Sequence, residues 1–374
     1  MTPIEPTVVM QRLQALAGRD LYVHLETTTG AYTKGAFGAF LRNGRIRFLD
    51  GRVTGRGPFR VGLRLADGWL YAEGLTHWDV DEDGRLLLAG HDDEGRLTVA
   101  LELSPEPFPA AWGAGPALGV GAAQGARALE PGAHGAGGAE ALERRVPGAG
   151  GAEAALVRGP LVVVLAHPDD ESFACGGVMA LHAAAGAPVT YVCATRGEMG
   201  RNMGRPPLAT RETLASLRER ELVAACAALG VHDVRFLGLW DKTVEFVDRE
   251  ALVEAVRAIL LEMEPVRLIT FHPRFGGHPD HEAVGAAALE AVRRLPAERR
   301  PVVWCPIVPA AEGDAGLPVE TVDIRAVGER KMAALRAHRS QTANWEARAE
   351  ADPELRARME RMRSEERFWV YAVE

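Results

Sequence analysis

The sequence predicts an α/β protein: a parallel sheet with helices on both faces, preceded by a small antiparallel β-rich α+β domain. Three observations carry this. From residue 161 onward, aliphatic runs without polar alternation recur between stretches of helical periodicity, the pattern of strands buried on both faces. Across the first hundred residues, short apolar runs are instead punctuated by Asn43-Gly44, Asp50-Gly51, Asp67-Gly68 and Asp83-Gly84. Such dipeptides supply the positive φ angles of tight hairpins. Between the two patterns lies a stretch of alanine and glycine with little else.

The N-terminal domain, residues 1–109, opens with a helix over about 8–17, where apolar residues fall at helical spacing. It continues through the strands "RIRFL", "FRVGLRL", "WLYAEGL" and "RLLLAG". Residues 110–158 lack the large apolar side chains that offset chain ordering and read as a flexible linker. His134 within it is expected to be solvated and without function. The domain over 159–374 offers the strands "LVVVLA", "PVTYVCAT" (188–195), "DVRFLGL" (233–239), "RLITFH" (267–272), "PVVWCPIV" (301–308) and "FWVYAV" (368–373). Helices are expected near 176–186, 210–229, 248–263, 280–295 and 325–339. This alternation builds a parallel sheet, whose ligands bind beyond the carboxyl ends of the strands.

With 374 residues, the chain can hold two domains, each with its own core. Its net charge of -8 excludes the basic footprint of a nucleic-acid-binding surface. No apolar run approaches the roughly 20 residues of a membrane span, and no basic region followed by an apolar core marks a secretory signal. Cys175, Cys193, Cys226 and Cys305 form no CxxC pair and read as buried thiols of a reducing compartment. The expected location is the cytoplasm, with no nucleic-acid and no membrane partner.

The first strand of the second domain runs into "AHPDDE" at 166–171. Four ionisable groups in five positions repel one another and resist burial unless something binds them. The stretch is neither GxGxxG nor GxxxxGKS/T, and its acids would repel a phosphate. Imidazole and carboxylate without thiolate suit a divalent cation. His167 and Asp170, three apart across a Pro-containing turn, can converge on one ion. Zinc takes such ligands at about 2.0–2.2 Å, and catalytic sites use three of them beside an open position. Another strand end, "TFHPRFGGHPDHEAV", supplies a further ligand. His278 and His281 stand one turn apart at the start of its helix and can point into the same cleft. A cation among these groups offsets the carboxylates. A single His-Pro-Asp is usually a turn with a capping Asp. Two of them at two strand ends, each with a second ligand-type residue at i+3, exceed what turn chemistry alone provides. His24, His77, His91, His182 and His232 are expected at the surface or as satisfied core histidines, and His272 is a minor candidate by its place at a strand end.

These residues carry a family resemblance. Residues from about 160 to 374 resemble the PIG-L/LmbE-like deacetylases, metal enzymes that remove the N-acetyl group from N-acetylglucosamine units. The family signature stands at 166–171 and its partner "HPDH" at 278–281. Weaker features match at "TRGEMG" (195–200), "RERELVAACAALGV" (218–231), "LGLWDKTV" (237–244) and "KMAALRAHRSQ" (331–341). The resemblance implies a Rossmann-like fold. The first domain, through "DLYVHLETTTGAY", "FLRNGRIRF" and "GLTHWDVDEDGRLLLAGHDDEGRL", resembles the small YojF-like proteins, which in Bacillus relatives accompany a bacillithiol-pathway deacetylase.

Together the two resemblances imply zinc-dependent hydrolysis of N-acetylglucosaminyl-malate to glucosaminyl-malate and acetate, in bacillithiol biosynthesis. By the family pattern His167, Asp170 and His281 bind the metal, Zn(II) or, in vivo, Fe(II). Asp169 flanks a ligand, points elsewhere and resembles the general base. His278, protonated, is the candidate donor to the tetrahedral oxyanion. Asp280 can hold an imidazole in its proper tautomer and raise its pKa. Glu171 is read as a supporting or helix-start carboxylate. For the substrate, Arg218 matches a family arginine and Asp241 can accept hydrogen bonds from sugar hydroxyls. The two carboxylates of malate call for arginine forks, with Arg196, Arg201 and Arg205 as candidates. The loop "EMGRNMGRPP" departs from better-matched relatives, which puts its specificity in question. In the β domain, His77-Trp78-Asp79 with the acids Asp92, Asp93 and Glu94 has the composition of a second metal site, but the charge run reads as a solvated hairpin turn. The alternatives are the same deacetylation of a mycothiol precursor, chitooligosaccharide or antibiotic precursor, or a metal-bound sugar-binding or assembly protein with vestigial turnover. Homo-oligomerisation stays open.

Overall fold

The computed structural model describes residues 1–29, 38–109, 121–122, 159–307, 315–343 and 345–373. The chain forms two compact units: Met1–Ala111 with Gly200–Glu212, and Trp112–Met199 with Thr213–Glu374. Most of the Ala/Gly-rich stretch expected to be a linker, His134 included, lies outside the described residues.

In the first unit, β1 (Thr2–Pro3) and the helix Pro6–Leu16 precede eight strands. These are β2 (Leu21–Thr28), β3 (Gly38–Ile46), β4 (Asp50–Thr54), β5 (Phe59–Arg64), β6 (Trp69–Leu75), β7 (His77–Val80), β8 (Leu86–His91) and β9 (Leu97–Ser104). They form an antiparallel six-stranded sheet, β1-β7-β8-β9-β2-β3, and a three-stranded sheet, β4-β5-β6. Leu13 of the helix joins Val23, Phe48, Val61, Leu63, Leu88 and Leu101 in one buried core. Asp67-Gly68 and Asp83-Gly84 turn hairpins, as their chemistry suggests. The other two dipeptides do not. Asn43, at φ 60, lies where the register of β3 against β2 shifts, a bulge that needs the left-handed residue. Asp50-Gly51 lies inside β4, and a Cβ on Gly51 would stand 2.9 Å from Leu13 Cβ; the glycine lets the helix approach.

The second unit holds β10 (Gly121–Ala122), β11 (Leu161–Leu165), β12 (Val189–Thr195), β13 (Asp233–Leu239), β14 (Arg267–Thr270), β15 (Val302–Pro306), β16 (Val319–Asp323) and β17 (Glu365–Tyr371). Its sheet runs β10-β13-β12-β11-β14-β15-β17-β16, and the five strands from β13 to β15 are parallel. Every residue of β11 and β12 is buried, as in a sheet covered on both faces. Strand order reverses between β11 and β14, the switch point where such sheets open a crevice.

The second unit departs from the sequence reading in several places. "FWVYAV" belongs to β17, which runs antiparallel to β15; an aliphatic run encodes burial, not direction. Gly121–Ala122, inside the expected linker, pairs antiparallel with Phe236 and Arg235 of β13, because a sheet edge offers unpaired backbone groups to any extended neighbour. The helices Trp345–Ala351 and Pro353–Ser364 were missed, being too polar to show a periodicity. The readable signal was Asp352-Pro353: Asp352 caps the second helix, accepting from the amides of Glu354 and Leu355.

The helix Gly176–Ala184 is capped from afar. Glu366 of β17 accepts from the amides of Gly177 (2.7 Å) and Val178 (2.9 Å) and pairs with buried Lys331 at 2.6 Å. The helix Pro279–Arg293 lies close over the end of β14 because residue 285 is glycine, where a Cβ would collide with the Phe271 carbonyl. All four cysteines are free and buried. Among the described residues no helix is long and apolar enough to cross a membrane.

Candidate metal centre

The site lies beyond the carboxyl ends of β11, β13 and β14. Past β11, the Ala166 carbonyl still accepts from the amide and hydroxyl of Thr195 (2.9 and 3.0 Å), and the chain then turns. The His167 amide donates to Asp170 Oδ2 at 2.7 Å, folding that carboxylate back beside the imidazole. The second histidine enters at the start of the helix Pro279–Arg293. His167 Nδ1 and His281 Nε2 stand 3.1 Å apart, and Asp170 Oδ2 lies 3.6 Å from the first and 3.4 Å from the second. Ligands about 2.1 Å from a tetrahedral ion stand about 3.4 Å apart, so the three atoms have the spacing of one face of a coordination shell.

The tautomers sharpen this. His281 Nδ1 lies 2.9 Å from the Gly276 carbonyl, which only an N–H can serve, so Nε2 presents its lone pair. His167 Nε2 lies 3.2 Å from both Asp241 Oδ1 and Asp280 Oδ2, which puts that ring's proton on Nε2 and its lone pair on Nδ1. Two lone pairs and a carboxylate oxygen then face one another in a buried space. That arrangement is repulsive unless a cation or a shared proton sits between them, and imidazole with carboxylate fits a divalent ion. Phe271 stacks on the His281 ring with centroids 3.9 Å apart, fixing its plane.

Asp280 is fully buried. It accepts from the amides of Lys242 (2.7 Å) and Val244 (3.1 Å), so the imidazole it holds, that of His167, is tied to the loop after β13. Asp241 was read as an acceptor for sugar hydroxyls. Its oxygens are instead engaged by His167 and by the Met199 amide at 2.9 Å. Burial raises its pKa, but His167 and then Arg218 outweigh that and hold it well below the usual range.

Asp169 occupies a left-handed backbone conformation, φ 112, which costs a non-glycine residue about 1–3 kcal/mol. Its amide donates to Glu171 Oε2 at 3.0 Å and its carboxylate pairs with Arg218 at 3.2 Å. Burial raises its pKa to about 6 against the opposing pull of Arg218. Arg218, read as a substrate ligand, is buried and also donates to the carbonyls of Gly197 and Pro168; it braces the turn that carries Asp169. His278 accepts from the Asp280 amide through Nδ1 at 3.1 Å, which leaves its ring proton on Nε2. One ligand atom each of His167, His278 and His281 lie within 4.8 Å of one another. The expectation of a protonated His278 is corrected: burial, then the neighbouring His167 and His281, push its pKa down to about 4.

The remaining candidates lie elsewhere. Arg196 pairs with Glu219 at 2.9 Å and covers Phe236. Arg201 and Arg205 belong to the first unit. There Arg201 donates to Leu97 O, Thr29 O and Asp92 and Arg205 to Asp93 O. His272 accepts from the Arg274 amide and packs among Phe275, Trp369 and Tyr371. His182 is buried, its Nδ1 2.9 Å from the Val178 carbonyl. Asp92 closes its turn on the amides of Glu94 and Arg96.

Two buried residues escaped the sequence reading. Glu198 lies 3.3 Å from the Asp241 amide, and burial with Asp241 pushes its pKa up to about 7. His338, in the "AHRSQ" stretch quoted only for its family likeness, meets Glu171 Oε1 at 2.6 Å, both side chains without exposure. Burial disfavours a charge on His338, but Glu171 more than offsets it and raises the pKa. Replacing His338 with Ala is expected to lower stability by about 3–5 kcal/mol, because a buried carboxylate loses its partner. Urea denaturation checks this, and a midpoint equal to wild type would refute it.

Comparison with known proteins places this site in a class. Residues 162–292 match the family model described as GlcNAc-PI de-N-acetylase, PIG-L. Residues 3–108 match a protein family of unknown function, DUF1806. A probable N-acetyl-alpha-D-glucosaminyl L-malate deacetylase 2 of Bacillus cereus is 47% identical over 183 residues, 49% of this chain and 83% of that protein. The protein YojF of Bacillus subtilis is 43% identical over 106 residues, 27% of this chain and 91% of its own length. Among solved structures, the N,N'-diacetylchitobiose deacetylase of Pyrococcus horikoshii aligns with 57% of this chain and 83% of its own, at 25% identity and a TM-score of 0.44. The class is that of hydrolytic N-deacetylases. The chain belongs to the PIG-L family and carries a DUF1806/YojF-like domain ahead of the family's own.

Proposed function

We propose that the chain is a Zn(II)-dependent deacetylase of N-acetylglucosaminyl-malate, releasing glucosaminyl-malate and acetate for bacillithiol biosynthesis in the cytoplasm. The observation that carries this reading is the convergence of His167 Nδ1, His281 Nε2 and Asp170 Oδ2 within 3.1–3.6 Å beside the half-buried Asp169. The likeness of the two parts of the chain to a malate-conjugate deacetylase and to YojF supports the choice of substrate.

His167, Asp170 and His281 would hold the cation, and the same donors suit Fe(II). When bound, such an ion supplies Lewis acidity and lowers the pKa of water. Asp169, steadied by Arg218, takes the proton of the attacking water. The water oxygen bonds to the acetyl carbon, the C–N bond breaks, and Asp169 returns its proton to the departing nitrogen. His278 donates its Nε2–H to the oxyanion without carrying a charge, a contribution of about 3 kcal/mol. Asp280 and Asp241 hold His167 in the tautomer this requires.

The test is free-amine release from N-acetylglucosaminyl-malate by the metal-loaded full chain, beside a chelated control. Chelator-sensitive release with kcat of roughly 1–10³ s⁻¹ is expected. Release only from an inositol or chitooligosaccharide conjugate would discard the malate substrate. No release from any conjugate, with metal bound, would turn the reading toward the sugar-binding alternative.

A further inference from the structure

The compact unit built on Met1–Ala111 also contains Gly200–Glu212, the stretch between β12 and the body of the helix Arg211–Leu229. The chain leaves the deacetylase unit after Met199 and re-enters it at Thr213. Within the first unit this excursion is bound at both ends. The Arg201 carbonyl accepts from the Leu97 amide at 2.9 Å. Its guanidinium donates to Leu97 O (2.9 Å), Thr29 O (2.5 Å) and Asp92 Oδ2 (3.1 Å). At the other end, Arg211 Nε pairs with Glu26 Oε2 at 2.9 Å, the two side chains 2% and 1% exposed, and Arg42 grips Glu212 through two bonds of 2.9 and 3.2 Å.

Two physical points follow. "GRNMGRPPLAT" has too few large apolar side chains to order itself. Glu26 is buried in β2, 3.6 Å from His24; a buried carboxylate gains from a paired cation, and Arg211 brings one to it. The excursion also begins and ends at groups of the site. Met199 donates to Asp241 Oδ2 at 2.9 Å, and Asp241 braces His167. Arg218, on the helix that Arg211 opens, pairs with Asp169 at 3.2 Å. The described residues of the first unit contain no candidate metal cluster of their own.

We propose that the N-terminal domain is a clamp for the loop after β12: Glu26, Asp92 and the main chain of Thr29 and Leu97 hold Arg211 and Arg201, and so keep Met199 on Asp241 and Arg218 on Asp169. Glu26, Arg201 and Arg211 are positioning residues that touch neither substrate nor cation. The inference rests on the deacetylase reading for its effect on turnover, but not for its effect on the loop.

The experiment compares zinc-loaded full-length wild type with Glu26→Gln, Arg201→Ala and, as control, Arg60→Ala, which breaks an exposed pair with Glu73 and a cation–π contact with Tyr71. It reads kcat and KM for a GlcNAc conjugate, zinc per chain, and amide hydrogen exchange. Glu26→Gln and Arg201→Ala are expected to lower kcat by roughly ten- to a hundredfold at unchanged zinc content. Exchange should quicken at residues 200–212 and at Met199, while β11 and β14 stay protected. Arg60→Ala should match wild type. Should Glu26→Gln fail to fold, Arg201→Ala is the deciding variant, because the Arg201 side chain is 13% exposed and that of Glu26 only 1%. Wild-type kcat in Arg201→Ala, or faster exchange that spares Met199, overturns the clamp. Wild type silent on every conjugate would sink the deacetylase reading alone, because exchange at Met199 is read without turnover.

Discussion

Asp169→Asn is expected to keep its zinc and lose turnover by roughly 10²–10⁴-fold, the usual contribution of a positioned general base. Asparagine is the right substitution because it tolerates the left-handed backbone about as well as aspartate does, so the φ of 112 is preserved and only the basic oxygen goes. The wild-type acid limb follows from the same group. Burial holds its pKa at about 6, despite Arg218, and the carboxylate must be ionised to accept a proton. Hence kcat/KM should fall as pH drops through about 6, approaching tenfold per unit. A cation beside it favours ionisation and moves the limb below that value, never above it. Profiles of kcat/KM from pH 4.5 to 8, with zinc measured in parallel, decide the matter. An Asn variant retaining more than about a tenth of wild-type kcat, or keeping the same acid limb, would remove Asp169 from the role of base.

What could be read in the sequence, and what could not, divides along the range of the interactions involved. β11 and β12 were legible because burial on both faces erases polar alternation. The direction of β17 was not, since it depends on where the chain has been rather than on its residues. Asn43-Gly44 and Asp50-Gly51 carry true conformational information, a positive φ in one case and a missing Cβ in the other, but not the context in which it is used. At the site, His167 and Asp170 were legible as a local pair, and His281 by its place at another strand end. The environment of Asp241 was hidden because its partners come from other loops. Arg201 looked like an anion ligand because its main-chain partner, Leu97, stands 104 positions away. His338 and Glu171 are separated by 167 positions, and only the fold makes them neighbours.

Replacing His281 with Ala should abolish cation binding and turnover together, a larger effect than the loss of Asp169. Of the three converging donors, His281 is the one whose lone pair is fixed by a main-chain acceptor and whose plane is fixed by Phe271. Without it His167 and Asp170 remain, one ligand short of the three that catalytic zinc sites use. Asp280→Asn should be milder. An amide oxygen can still accept from His167, and the loss expected when such a support is weakened is about 10–100-fold in metal affinity. Protons compete for the same atoms. In the metal-free protein, burial opposes a charge on His167, but Asp241, then Asp280 and Asp170, outweigh it and raise the pKa well above the usual value. A cation must therefore displace a proton, so affinity weakens as pH falls below that pKa and zinc is lost to a chelator more readily at pH 6 than at pH 8. Equilibrium dialysis of the wild type, Asp280→Asn and His281→Ala against a buffered chelator at both pH values reads this order directly. One equivalent of zinc held by His281→Ala with wild-type affinity would mean that the ion is held by other atoms than these three.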